Sequence, residues 1–188
     1  MSLPTDARPA PASARLEECV GAAEHRAATL MERGAPLFEV LAQLTSAVEA
    51  LSGGTTVSSI LVLDGEGLLR NGASPNLPAD YLDAIDRIRP DPQVGTCAAA
   101  AATGEIVFTP DFCEDLKWAE LRHLPMALGF MGAWSWPIKS AAGQVLGTFG
   151  TYFRERRMPT ASEMEAVRRL ALVAAQAIER STSAASAA

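Results

Sequence analysis

The sequence predicts an α+β fold: an antiparallel sheet of five or six strands, with the first and last helices on one face and the middle helices on the other. Three observations predict it. Two amphipathic helical patterns precede any strand, two hairpin patterns lie far apart in the chain, and a capped helical pattern closes it.

Residues 1–14 are rich in Pro, Ala and Ser without a hydrophobic period, which reads as a flexible lead-in. From Arg15 the residues Leu16, Cys19, Val20, Ala23, Ala27, Leu30 and Met31 recur at helical spacing. They predict an N-terminal helix within 15–36, stopped at Gly34. Pro36 suits the first turn of a second helix, whose apolar face is Leu37, Val40, Leu41, Leu44, Val48 and Leu51 and whose stop is Ser52-Gly53-Gly54.

Thr55 to Leu63 is apolar and β-branched, and Asp64-Gly65-Glu66-Gly67 turns the chain into Leu68 to Ala73, giving the first hairpin. Pro78 opens a short helix with Tyr81, Leu82, Ile85 and Ile88 on one face, and Arg89-Pro90-Asp91-Pro92 stops it.

The stretch from Val94 to Gly104 is an Ala-rich helix of about two turns, with Thr96 as N-cap and Gly104 as C-cap. Its first amides lack intrahelical acceptors, and the residues after Cys97 are too small to cover them. Another element or a small ligand can therefore approach the backbone, and an electropositive helix start favours an acceptor. The alternative is that the alanines only let the helix pack tightly on the sheet.

Glu105 to Phe108 reads as a short strand. Helical spacing at Leu116, Ala119 and Leu121 spans 111–128, interrupted by Pro125 and stopped by Gly129. Met131 to Ile138 and Val145 to Phe153 form the second hairpin around Ala142-Gly143. Thr160 and Glu163 make a capping box for a long last helix carrying Met164, Val167, Leu170, Ala171, Ala174 and Ile178, and residues 182–188 read as a flexible tail. Leu172 and Val173, with Leu16 and Val20 on the first helix, widen the apolar stripes enough to predict a homodimer through the first and last helices.

At 188 residues, 48% hydrophobic and 20% charged, the chain suits one soluble domain, and no apolar run is long enough to span a bilayer. The N-terminus carries no secretory signal. A net charge of −6 opposes attraction to phosphate backbones, so no direct nucleic-acid partner is expected. Cys19, Cys97 and Cys113 are odd in number and lack zinc-type spacing, which predicts a reducing, cytoplasmic location without a disulfide framework.

Several local words occur in an order that resembles the GAF family of bacterial sensory domains. They are Val94-Gly95-Thr96-Cys97, Thr109-Pro110-Asp111 running to Leu116-Lys117-Trp118, Gly129, and Ala133-Trp134-Ser135-Trp136-Pro137-Ile138. Gly143-Gln144-Val145-Leu146-Gly147-Thr148-Phe149, Tyr152, Arg154-Glu155-Arg156-Arg157-Met158-Pro159-Thr160 and Ala177-Ile178-Glu179-Arg180 follow. The resemblance covers about residues 37–181 and implies a sensory, small-molecule-binding domain of bacterial signal transduction that regulates a partner or an attached output module. The implied binding residues are Gly95, Thr96, Cys97, Ala98, Trp118, Leu121, Trp134 and Trp136. Nitrate-sensing members are similar in placing an anion at a corresponding helix start, so a small neutral or anionic ligand is implied. The family commonly has Gly and Cys where this chain has Ala98 and Ala133, and Trp136 is bulkier than the residue often found there.

Two rivals come with the resemblance. One is a ligand-free dimerisation module, with the pocket collapsed around Trp118, Trp134 and Trp136. The other is free methionine-R-sulfoxide reductase, a branch with a cysteine in the word that Cys97 matches. That branch carries a second cysteine ten residues earlier, where this chain has Arg87, and acidic residues where it has Ala133 and Gly150. No enzyme activity is therefore expected.

Cys97 at a helix start could be a reactive thiolate, but a buried small residue is the reading preferred here. His25 and His123 are too few and too far apart for a triad or a histidine-based metal cluster, and a haem or other tetrapyrrole is not expected. Asp111, Glu114 and Asp115 read as acidic residues opening a helix, and Arg154, Arg156 and Arg157 as a solvated turn.

Overall fold

The computed structural model describes residues 12–186. Its elements are α1 (Ala12–Glu32), α2 (Leu37–Leu51), β1 (Thr56–Leu63), β2 (Leu69–Ala73), α3 (Ala79–Ala84), α4 (Thr96–Thr103), β3 (Val107–Thr109), α5 (His123–Ala127), β4 (Gly132–Lys139), β5 (Val145–Phe153) and α6 (Ala161–Ser186). The five strands form one antiparallel sheet in the order β2-β1-β5-β4-β3. α2 and α6 pack on one face, with α1 laid over both, while α4 packs on the other. The expected α+β arrangement is thus the observed one.

The two apolar layers follow from strand alternation. On β4, Trp134 and Ile138 join Phe149 and Phe153 of β5 and Ile60 of β1 beneath α2 and α6. Ala133 and Tyr152 point the other way, into a cluster with Phe112, Trp118 and Phe130.

Several boundaries differ from the sequence reading. Ala12 to Ala14 belong to α1 rather than to a flexible lead-in, and residues 1–11 lie outside the described residues. α6 continues helically to Ser186, through most of the expected tail, and residues 187–188 lie outside. Alanine and serine at 183–186 let the preceding turns propagate.

The helix expected over 111–128 is instead a 3₁₀ turn at Leu116–Trp118 followed by the five-residue α5. The Asp115 side chain accepts from the Lys117 amide and so competes with a continuous backbone ladder.

The capping box at α6 forms as the spacing predicts. The Glu163 amide donates to Thr160 Oγ1 at 3.2 Å, and the Thr160 amide donates to Glu163 Oε2 at 2.7 Å.

Leu16 and Val20, read from the sequence as part of a dimer stripe, are buried within the protomer. α1 needs them to cover α2 and α6, because α1 itself rests on helices rather than on the sheet. Arg169 of α6 ties this layer together, reaching Glu17 at 2.9 Å and Glu24 at 2.6 Å. Among the described residues, no helix is long and apolar enough to cross a membrane.

Candidate functional site

The site begins with a row of three small residues across the centre of the sheet. Register pairs Ser59 of β1 with Gly150 of β5, and Gly150 with Ser135 of β4. Because Gly150 has no side chain, α4 settles onto this row: a Cβ there would lie 2.9 Å from Cys97 Sγ. Ser135 Oγ donates to Thr96 Oγ1 at 3.1 Å and is placed to accept from the Cys97 thiol 3.0 Å away. The first turn of α4 is therefore held to the sheet by side chains.

The N-cap of α4 is Gly95 rather than Thr96. Gly95 sits at φ 51°, ψ −173°, a conformation open to glycine, and the Thr96 hydroxyl is turned to Ser135 instead of capping. No side chain caps the helix, so the amides of its first turn have neither a capping oxygen nor an intrahelical acceptor. At the other end Gly104 closes the helix in the left-handed conformation, donating to Ala100 O at 2.9 Å.

A cover forms over this helix start. The Gly95 amide donates to Lys117 O at 2.8 Å, which docks the 3₁₀ turn and brings Trp118 over Gly95. Asp115 fixes the turn, pairing with Lys117 Nζ at 2.7 Å and accepting from Thr109 Oγ1 at 2.6 Å. Burial pushes the Asp115 carboxyl up, but these partners outweigh it and hold it below its ordinary range. Phe112 packs on the Trp118 ring, 4.5 Å between centroids.

Between the cover, α4 and the sheet lies a cavity of about 30 Å³. Leu61, Leu69, Ile85, Ile88, Val94, Trp118 and Leu121 form its apolar walls. Gly95, Thr96, Cys97 and Ala98 make the wall at the helix start. Tyr81 and Tyr152 complete it, the Tyr81 hydroxyl donating to Tyr152 at 2.9 Å.

Six of the eight sequence-predicted binding residues therefore border one cavity: Gly95, Thr96, Cys97, Ala98, Trp118 and Leu121. Trp134 and Trp136 do not. Both point to the opposite face, where Trp134 stacks on Phe108 and Trp136 borders a groove of about 330 Å³ with Ile106, Ala171 and Leu172. Trp136 thus has no part in the cavity's small size, and a pocket collapsed around all three tryptophans is excluded by their division between two layers. Strand parity put the two tryptophans opposite Ser135, but parity alone does not say which face meets α4. Tyr81, Tyr152 and Ser135 are not among the binding residues that the sequence predicts. Their joint signal is that Ser135 and Tyr152 share sheet-face parity with Gly150, visible only once the strand register is known.

The cavity resists negative charge. Burial pushes the Cys97 thiol up, against the hydrogen bond with Ser135. Burial likewise pushes the Tyr81 and Tyr152 hydroxyls up. Among the described residues, four buried side-chain polar atoms have no hydrogen-bond partner: Ser59 Oγ, Thr148 Oγ1, Trp134 Nε1 and Trp118 Nε1. The last belongs to a residue that borders the cavity. Among the described residues there is no cluster of three or more His, Cys, Asp or Glu able to hold a metal ion, and His123 is exposed at the start of α5.

The connector between β5 and α6 is more engaged than a solvated turn. Arg154 donates to Leu128 O at 3.0 Å and lies over the Phe130 ring, and Arg156 pairs with Asp111. Both contacts reach the cover. Arg157 turns the other way, making paired bonds to Glu163 at 2.6 and 2.8 Å and lying 3.8 Å above the Phe153 ring.

This chain is similar to the methyl sulfide methyltransferase-associated sensor of Methanosarcina acetivorans, at 34% identity over 156 residues, covering 83% of this chain and 16% of that protein. It thus spans a small part of its relative's length. Its fold is similar to the GAF domain of a phosphoenolpyruvate-protein phosphotransferase from Coxiella burnetii, with a TM-score of 0.74 at 15% identity over 94% of this chain and 99% of that one. It is also similar to free methionine-R-sulfoxide reductase from Neisseria meningitidis, with a TM-score of 0.71 at 17% identity over 94% of this chain and 96% of that one. The sequence profile of the GAF domain matches residues 35–179, so the chain belongs to the GAF domain family.

Proposed function

We propose that this chain is the sensory, ligand-binding GAF module of a signal-transduction protein, with the cavity beneath the start of α4 as its sensing pocket. The observation that carries the reading is a single apolar-walled cavity bordered by the uncapped start of α4, by Trp118 and by the Tyr81–Tyr152 pair. A relative named as a sensor points the same way. The ligand is a small neutral or anionic molecule. No catalytic step is part of the proposal, and the signal passes to a partner or an attached output module in the cytoplasm.

Three features weigh against a methionine sulfoxide reductase. Cys97 is a half-buried thiol whose pKa is raised; Arg87 stands where that branch has its second cysteine and is paired with Glu66 at 2.9 Å; and Ala133 and Gly150 carry no carboxylates.

The module is proposed to work as a homodimer, through the outer faces of α1 and α6. Leu172, 56% exposed on α6, is the residue of the predicted stripe that remains free for a partner.

A thermal-shift screen with inorganic anions, short carboxylates, small neutral molecules and tetrapyrroles, followed by native mass spectrometry, tests the ligand. The expected result is one-to-one binding per protomer of a small molecule that raises Tm. Stabilisation by no small molecule would leave a ligand-free dimerisation module as the function.

A further inference from the structure

The part of the cavity wall that carries Ile85 and Ile88 is held differently from the rest. α4 is seated on the sheet at Gly150, and the turn that brings Trp118 is docked by the Gly95 amide on Lys117 O. Residues 85–90 instead lie beside β2, an edge strand of the sheet, and meet it at an isolated bridge between Leu69 and Ile88. There the Leu69 amide donates to Ile88 O at 2.9 Å, and the Arg87 amide donates to Leu69 O at 3.0 Å. Two ion pairs in contact with solvent accompany the bridge, Arg70 with Asp86 at 2.7 Å and Arg87 with Glu66 at 2.9 Å.

The ends of this segment are fixed independently of its middle. Before it, the Tyr81 hydroxyl donates to Tyr152 of β5, and after it the Asp91 amide donates to Ala98 O of α4 at 3.2 Å. Between these ends Arg87 sits at φ 61°, the one non-glycine residue at positive φ among the described residues. That conformation costs energy for a residue with a Cβ, and opening the segment relaxes it. The bridge lies at a sheet edge, where water can take over its polar groups once they part, and ion pairs in contact with solvent add little. What chiefly holds the segment shut is Ile85 and Ile88, which border the cavity.

Resting on the sensing-pocket reading above, we propose that residues 85–90 form a strap that swings away from Leu69 to admit the ligand and closes on it, with the Leu69–Ile88 bridge as its latch. An occupant that touches Ile85 and Ile88 loses those contacts when the strap lifts, so binding shifts the population toward the closed form. Leu69 joins the two halves of the device. Its backbone holds the strap, and its fully buried side chain borders the same cavity.

Amide hydrogen exchange of the full chain, read residue by residue by NMR, measures the strap, and xenon, an uncharged probe of apolar cavities, measures entry. The Leu69 and Arg87 amides are expected to exchange together, about tenfold or more faster than those that pair β1 with β5. Xenon is expected to shift the Ile85 and Ile88 methyl resonances and to slow both amides. Asp86→Ala, which removes the pair with Arg70, is expected to speed both amides and the exchange of xenon by about two- to fivefold at an unchanged Tm. Arg156→Ala, which acts on the far side of the cavity through Asp111, is expected to change neither. Leu69 and Arg87 amides that exchange only on global unfolding, or bound xenon whose exchange Asp86→Ala leaves unmoved or Arg156→Ala speeds as much, would overturn the strap and leave the sensing pocket standing. If xenon shifts no resonance bordering the cavity, and the wider screen also finds no ligand, the strap and the sensing pocket fall together.

Discussion

Cys97 rests on Gly150: a Cβ at Gly150 would lie 2.9 Å from Cys97 Sγ, 3.1 Å from Ser59 Oγ and 3.4 Å from Ser135 Oγ. The approach of α4 to the sheet, and with it the depth of the cavity, depends on that missing side chain. Gly150→Ala is expected to destabilise the fold by about 1–3 kcal/mol through overpacking. Cys97→Ala removes the sulfur it would strike, so the double variant should recover at least ~0.5 kcal/mol relative to additivity. Urea unfolding of the four proteins measures the coupling, and strict additivity would contradict the contact.

The thiols should separate by reactivity. Cys113 is exposed, whereas Cys97 is protonated and pressed against the sheet. An aromatic disulfide reagent under native conditions should modify Cys113 quickly, and Cys97 only after denaturation. The raised pKa extends this protection above the ordinary thiol value of 9.0. Rapid native labelling of Cys97, located by peptide mass mapping, would restore a reactive role.

Acid should loosen the start of α6. Burial raises the Glu163 carboxyl, but Arg157 and the Thr160 amide outweigh it and hold it below its ordinary value of 4.5. A carboxylate depressed in the folded state contributes stability that is present above the unfolded pKa and lost as pH falls through the folded one. Glu163→Gln is therefore expected to cost about 1–3 kcal/mol at pH 7, and progressively less as pH falls below 4.5. Denaturant unfolding at a series of pH values measures the difference, and a cost independent of pH would contradict the assignment.

The arginine connector should act on the cavity cover more than on global stability. Arg156 is exposed, so breaking its pair with Asp111 should cost under ~1 kcal/mol. Arg156→Ala is nonetheless expected to speed amide hydrogen exchange across 112–122, because the pair ties the segment that leads into the cover to the connector after β5. Unchanged exchange there would show the pair to be incidental.

Sedimentation at tens of micromolar should give a dimer, and Leu172→Glu a monomer with unchanged Tm. A wild-type monomer would remove the proposed assembly.

Much of this fold was legible because its signals are local. Thr160 with Glu163, Gly104 after the alanine run, and Asp64 in its turn each fix a boundary through their own hydrogen bonds, and the structure reproduces all three. The region 111–128 was misread because leucine spacing survives in a segment whose backbone is redirected by Asp115 and Pro125. At the site, the helix start could be read from Gly95 to Ala98. The choice between Ser135 and its tryptophan neighbours could not, because two apolar layers of similar composition enclose the sheet. The arginines of 154–157 looked like a solvated turn because their partners, Leu128, Asp111 and Glu163, come from three different segments.

The most direct measurement is a crystal structure of the protein with the small molecule that most raises its Tm. The account predicts density beneath the start of α4, in the cavity bordered by Trp118 and Tyr152. Density in the groove beside Trp136 instead, with the cavity unchanged, would contradict it.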